Sequence, residues 1–338
     1  MKILPWMYNL DIIKAIKPEM RYDGNGDFAA WQTEARAKLA ELLGLKNIRK
    51  TENNNFTLEY VKDEETYTEY RFTLESEVGY IFPSVMRVPK GVAGKIPLII
   101  CLQGHSTGFH ISLGNPVNPG DEQSIAGGDR DFVVRAVKEG YAAIAVEQRN
   151  FGVCGGNTET GKPECHVSSM SAIINGRTTI GERITDVSCV IDAVSENFDF
   201  LDTDNVCLMG NSGGGTATYY AACIDERIKL AVPSCAVCTY KHSIAAMKHC
   251  VCNFIPNIAN YFDMGDLAGL IAPRKLIVVN GKHDDIFPED GVVESFEIIK
   301  NMYAAAGVPD ECALITGAGG HRFYADDAWP VIHKMAGK

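Results

Sequence analysis

The feature that most constrains this chain is a rhythm of short, continuously apolar runs separated by helical patterns. The runs are Ile96–Leu102, Tyr141–Val146, Val206–Met209, Ile228–Val232, Lys275–Val279 and Cys312–Ile315. An apolar run without alternation is what a strand buried on both faces requires. Between the runs lie segments of helical spacing: Asp131–Glu139, Gly181–Asn197, Gly213–Cys223, residues 290–304 and Ala325–Lys334. Repeated strand–helix units of this kind predict an α/β chain, with a mainly parallel central sheet and helices on both faces.

The flanks follow other rules. Residues 1–50 look helical, with apolar positions at helical spacing over Phe28–Leu43 and Gly44 as a stop. They are expected to form an N-terminal helical extension packed on the core. Residues 51–338 are read as one domain, because α/β folds run past about 250 residues as a single unit. Phe56–Tyr60, Tyr67–Leu74 and Tyr80–Val88 alternate and are rich in β-formers, which predicts two or three antiparallel edge strands. Two stretches break the rhythm. Residues 147–176 are rich in Gly, Asn and Cys, and residues 234–270 read as short helices broken by Pro256. Both follow strands on the side where open α/β sheets bind ligands, so they are expected to be insertions forming pocket walls or a lid.

Composition narrows the function classes. Thirty-two basic against 43 acidic residues give a net charge of -11. That argues against nucleic acid and anionic membrane as partners, since both demand local positive charge. No apolar run reaches membrane-spanning length, and Pro5 and Asp11 interrupt the stretch where a secretory leader needs an apolar core. The eleven cysteines are odd in number and scattered through apolar segments, Cys101, Cys207 and Cys223 among them. Reduced, buried thiols in a cytoplasmic protein are the expectation.

The chemistry is carried by Val206-Cys-Leu-Met-Gly210-Asn211-Ser212-Gly213-Gly214-Gly215-Thr216, which contains G-x-S-x-G. An apolar strand precedes the motif and a helix of small residues follows, the strand–turn–helix that exposes a serine nucleophile. Gly210 and Gly214 avoid Cβ clashes in the tight turn. The amide of Gly213, near the helix N-terminus, is free to hold an oxyanion. A phosphate loop would need a lysine that this motif lacks.

A serine nucleophile needs a base, and the base an orienting acid. After an elbow of this type they follow in the order acid, then His. The turn after the Lys275 strand, Gly281-Lys-His-Asp284-Asp285-Ile-Phe-Pro288, offers Asp284 or Asp285 as the acid. His321, in the glycine-rich loop Gly317-Ala-Gly-Gly320-His321, is the candidate base; His333 lies in the last helix. A second oxyanion donor is expected from Leu102-Gln103-Gly104-His105-Ser106, with the amide of His105 first and that of Ser106 as the alternative.

With these elements in hand, the chain resembles the acetyl xylan esterase-like and dienelactone hydrolase-like α/β-hydrolases over about residues 80–330. The resemblance rests on Gln103-Gly-His105, Glu147-Gln-Arg149-Asn-Phe-Gly152, Gly181-Glu-Arg183-Ile-Thr-Asp186, Gly210-Asn-Ser212-Gly-Gly-Gly215, Ala272-Pro-Arg274 and Gly281-Lys-His-Asp284. The family's G-x-x-D-x-x-x-P loop selects Asp284. The resemblance implies cleavage of a small carboxylic ester, with an acetylated saccharide as the specific candidate, and no cofactor. The dienelactone hydrolases proper use cysteine as nucleophile, so Ser212 favours ordinary ester cleavage over lactone chemistry. A prolyl-oligopeptidase-like serine peptidase is the alternative, but the 95 residues before the core strands cannot hold its β-propeller. A catalytically silent binding protein is the other, opposed by the intact Ser, Asp and His.

Remaining candidates are weighed by type. Arg149 could contact substrate, but an ion pair bracing its loop is the preferred reading. His110, Tyr240 and Phe287 are candidate pocket residues. Arg183 and Asp186, three apart, are expected to pair on a helix face. Trp31 is expected to pack. Cys235, Cys238, His249 and Cys252 could in principle ligate zinc, but their spacing matches no common framework, so no metal is expected. Self-association is left open.

Overall fold

The computed structural model describes residues 4–155 and 164–337. A nine-stranded sheet runs through it in the order β1-β2-β3-β5-β4-β6-β7-β8-β9. The strands are β1 (Thr57–Asp63), β2 (Tyr67–Glu77), β3 (Tyr80–Pro89), β4 (Ile96–Leu102), β5 (Ala142–Val146), β6 (Leu201–Asn211), β7 (Ile228–Ser234), β8 (Lys275–Gly281) and β9 (Cys312–Gly317). β1, β2 and β3 form an antiparallel meander, and β3 joins β5 antiparallel. From β5 through β4, β6, β7 and β8 to β9 all pairs are parallel. The mainly parallel sheet and antiparallel edge agree with the expectation.

The helices are α1 (Pro5–Ala15), α2 (Phe28–Leu42), α3 (Asp121–Gly128), α4 (Phe132–Lys138), α5 (Cys165–Ile174), α6 (Thr179–Asn197), α7 (Gly213–Ile224), α8 (Ile258–Tyr261), α9 (Met264–Leu267), α10 (Glu289–Ala305) and α11 (Ala325–Ala336). Successive residues of a strand point to opposite faces, and the apolar runs are sorted accordingly. Leu98, Ile100 and Leu102 of β4 join a core with α2, α6, α7 and α10. Ile99 and Cys101 join a second core with Phe132 and Val133 of α4 and Trp329 and Ile332 of α11. Helices thus cover both faces, which is why the strands can be apolar throughout.

α2 docks through both surface types. Ala35 and Leu39 are fully buried in the first core. Gln32 Nε2 donates to the carbonyls of Gly269 and Ala272, each at 2.6 Å. Trp31 packs as expected, stacked on Phe28 with centroids 5.2 Å apart, its indole N–H on the Met20 carbonyl at 2.8 Å.

Three elements depart from expectation. β6 begins at Leu201 rather than Val206, because polar Asp202-Thr-Asp-Asn205 hides its first half. α3 and α5 occupy stretches without a legible helical pattern. The part of the 147–176 insertion at residues 156–163 lies outside the described residues. In the 234–270 stretch, Pro256 does precede a short helix, α8, with α9 following. No helix among the described residues is long and apolar enough to cross a membrane.

Candidate active site

β6 delivers Ser212 to the carboxyl end of the sheet, at the turn into α7. Its backbone has φ 56° and ψ -122°. A side-chain-bearing residue held there stores about 1–3 kcal/mol of strain. The crowding around it explains the glycines. A Cβ on Gly214 would stand 2.1 Å from the Leu102 carbonyl oxygen, and one on Gly210 would stand 2.5 Å from that of Gly214. Larger residues would push β4 and β6 apart. The Ser212 amide donates to the Ser234 carbonyl at 2.8 Å, which ties the turn to the end of β7. Gly213 is the first residue of α7, so its N–H has no carbonyl acceptor within the helix.

The turns after β8 and β9 are built together. His283 N donates to the Gly319 carbonyl and Lys282 N to that of Gly317, both at 2.8 Å. This pairing places Asp284 against His321, with Asp284 Oδ2 at 2.8 Å from His321 Nδ1. Asp284 Oδ1 accepts from the amides of Ile286 and Phe287 at 2.9 and 3.0 Å. Its side chain is fully buried, whereas Asp285 is exposed. Burial pushes the Asp284 carboxyl up, but the hydrogen bond and charge of His321 and the Phe287 amide outweigh it and hold the group below the usual range. An ionised Asp284 accepts from Nδ1–H and leaves Nε2 of a neutral imidazole as an acceptor. Phe287 lies parallel to the His321 ring, centroids 6.0 Å apart.

The sheet brings the two halves to one edge. Cys235, which follows the carbonyl holding Ser212, has its sulfur within 4.8 Å of ligating atoms of both Asp284 and His321. No hydrogen bond joins Ser212 Oγ to His321 among the described residues.

The loop after β4 abuts the elbow. A Cβ on Gly104 would stand 3.0 Å from Ser212 Cβ, and one on Gly213 would stand 2.9 Å from the His105 ring. The His105 amide donates no hydrogen bond among the described residues. Two side chains from the end of β5 brace this loop. Gln148 Nε2 donates to the Gln103 carbonyl at 2.6 Å. Glu147 accepts from Gln103 Nε2 at 2.9 Å, Phe109 N at 3.1 Å and Val153 N at 3.3 Å. Burial pushes Glu147 up to about 8 against the pull of those donors. The sequence does not reveal this bracing: Glu147 and Gln148 stand in the Glu147–Gly152 segment, but no pattern there gives their partners.

The other expected residues are held elsewhere. Arg149, for which an ion pair was preferred over a substrate contact, is buried: its guanidinium pairs with Glu77 at 2.7 Å and with Asp186 at 2.8 Å, and lies 3.8 Å from the Tyr80 ring centroid. Asp186 is therefore not the partner of Arg183, which instead donates to the Arg149 carbonyl at 2.8 Å. α6 is buried over most of its length, so the surface i,i+3 rule does not govern it. His110 Nε2 pairs with Asp121 at 2.9 Å, a carboxyl held at about 2 because hydrogen bonds led by Thr107 and the Asn118 and Val117 amides outweigh burial. Tyr240 is buried with its hydroxyl on that of Tyr220. It lines a cavity of about 330 Å³ with Ile12, Ile16 and Ile258. None of Ser212, Asp284 or His321 lines that cavity. His333 pairs with Glu139 at 2.7 Å.

Cys235, Cys238, His249 and Cys252 do not form one group. Cys238 Sγ approaches the Pro288 carbonyl at 3.8 Å, and His249 contacts Ser243 Oγ at 3.0 Å and the Phe287 ring. Burial, with His321 and His105 nearby, holds the His249 imidazole below its ordinary pKa. Cys252 lies instead with Cys165, Cys250 and His105. There, hydrogen bonds from Cys165 and Cys252 pull the Cys250 thiol far down, while Cys165 is pushed up to about 11, chiefly by Cys250.

A serine at a strained strand-to-helix turn after the sixth strand, an Asp–His pair on the turns after the eighth and ninth, and helices on both faces match the architecture of the α/β-hydrolase fold. Solved structures agree. A Bacteroides fragilis protein provisionally described as an acetyl xylan esterase superimposes with a TM-score of 0.77 at 16% identity, covering 94% of this chain and 83% of its own. A glucuronoyl esterase from Solibacter usitatus gives 0.69 at 17% identity, covering 96% and 97%. Acetyl xylan esterase 1 from Thermoanaerobacterium sp. gives 0.61 at 17% identity, covering 90% and 92%. In sequence, the chain is 25% identical over 246 residues to YtaP of Bacillus subtilis (strain 168), a protein provisionally described as a hydrolase; the match covers 71% of this chain and 77% of YtaP. No family model matches the chain.

Proposed function

We propose that this chain is a serine carboxylesterase that cleaves a small ester, such as an acetyl group on a saccharide, through an acyl-enzyme. The observation that carries the reading is the buried Asp284–His321 hydrogen bond at the sheet edge that also presents the strained Ser212. Relatives described as sugar esterases support the substrate class.

In this reading Ser212 Oγ attacks the ester carbonyl while His321 Nε2 takes its proton. Asp284 holds the imidazole in the required tautomer and offsets the imidazolium charge. The amides of Gly213 and His105 receive the oxyanion; a donor of this kind lowers the barrier by about 3 kcal/mol. The imidazolium then protonates the departing alkoxide, and water, activated by the same imidazole, releases the acid.

The test is hydrolysis of p-nitrophenyl acetate and acetylated sugars by wild type and Ser212→Ala. A fall in kcat of at least about 10³-fold is expected, with loss of fluorophosphonate labelling. A variant as active as wild type would sink the proposal.

A further inference from the structure

We propose that His105, Cys165, Cys250 and Cys252 form a structural zinc site that ties the loop after β4 to the two inserted stretches. One donor atom from each of the four lies within 4.8 Å of all the others. His105 Nε2 is 3.2 Å from Cys252 Sγ, which is 3.3 Å from Cys250 Sγ. Tetrahedral zinc ligands at the usual bond lengths stand about 3.5–3.8 Å apart, inside that range of separations. A disulfide would need about 2.05 Å between sulfurs, and all three cysteines are free.

The donor set is selective. Three thiolates and an imidazole suit zinc and disfavour magnesium or calcium, which take oxygen. Four protein ligands close the coordination shell, the mark of a structural rather than a catalytic zinc.

An independent observation concerns charge. Arg183 is 2% exposed, and no carboxylate pairs with it among the described residues. Its guanidinium instead faces the cluster, 3.7 Å from Cys252 Sγ and 4.0 Å from Cys165 Sγ. Three thiolates and one Zn²⁺ sum to one negative charge, which this cation neutralises. Binding zinc drives the remaining thiol protons into solvent, and four donor pairs enter the metal shell.

The site also explains how the insertions are anchored. Phe151, Cys165 and Cys252 form a small cluster separate from the two main cores. A metal there supplies a cross-link that apolar packing does not. His105 links it to the elbow, because its ring borders Gly213. Zinc would fix that ring and hence the backbone amide beside it, so the ion acts on ester cleavage only as a positioning element.

The experiment uses the full chain, purified after zinc-supplemented expression, and reads metal content by mass spectrometry. About one zinc per chain is expected, falling to under about a tenth in Cys252→Ser and Cys165→Ser and unchanged in Cys238→Ser. Cobalt reconstitution of the chelated wild-type chain should give thiolate-to-metal charge-transfer bands and the strong visible bands of a tetrahedral ion. Should the serine variants fail to fold, the cobalt spectrum of the wild type decides. A wild-type chain that takes up neither metal, an octahedral cobalt spectrum, or a disulfide among the three cysteines would overturn the proposal. These readouts do not depend on ester hydrolysis, so the zinc site and the esterase reading fail separately.

Discussion

Asp284 and its neighbour Asp285 show how much one position matters. Asp284 is buried against two amides and an imidazole, whereas Asp285 meets solvent. Asp284→Asn keeps the shape but presents an amide to Nδ1, which favours the wrong tautomer. A fall in kcat of about 10⁴-fold on an aryl ester is expected, with Asp285→Asn near wild type; equal effects would reassign the acid. The pH dependence has a definite sign. The carboxyl is held below its ordinary range in the folded state, so its contribution to stability is complete above the usual carboxylate pKa and is lost as pH falls through the lowered value. The elbow serine was legible in sequence because local steric rules write its glycines into the chain. The choice between adjacent aspartates needed a family pattern, since both satisfy the same spacing.

At the scale of elements, the loops after β4 and β5 are held to each other by the Gln148 amide and a buried carboxyl, Glu147. Glu147 is raised to about 8, chiefly by burial. Its contribution to stability is therefore full below its ordinary pKa near 4.5 and is lost as pH rises through about 8. Melting temperature should decline from pH 5 to 8.5 in wild type, and Glu147→Gln should flatten that decline; parallel profiles would remove Glu147 as its source. The strands were readable because burial on two faces leaves only apolar residues. The helix α5 and the first half of β6 were not, because neither carries an apolar period of its own. Arg183 and Asp186 depart from the expected pairing for a related reason: the i,i+3 rule holds for solvent-facing helices, and α6 is enclosed by its neighbours.

For the whole molecule, the N-terminal helix α2 is part of the main core, whereas α1 buries no residue fully. Leu39 of α2 has no exposed surface and shares a cluster with β4, α6 and α7. Leu39→Ala is expected to cost about 2–5 kcal/mol in denaturant unfolding, within a single transition; a separate early transition would show that α2 unfolds alone. The mainly parallel sheet and its two covered faces could be anticipated from rhythm, though the strand order could not. The regrouping of Cys252 with Cys165 and Cys250 could not, because side chains from distant segments of the chain meet only after the sheet has set their distances.

The backbone of Ser212 has a consequence beyond the reaction. Glycine adopts its φ of 56° without the strain a serine bears there. Any selection that rewards heat resistance alone therefore has an easy gain available at this residue, and on the esterase reading taking it would leave a sturdier protein without its nucleophile. On that reading the serine persists only where turnover itself is under selection, so a strained backbone angle doubles as a record of what the chain has been kept to do.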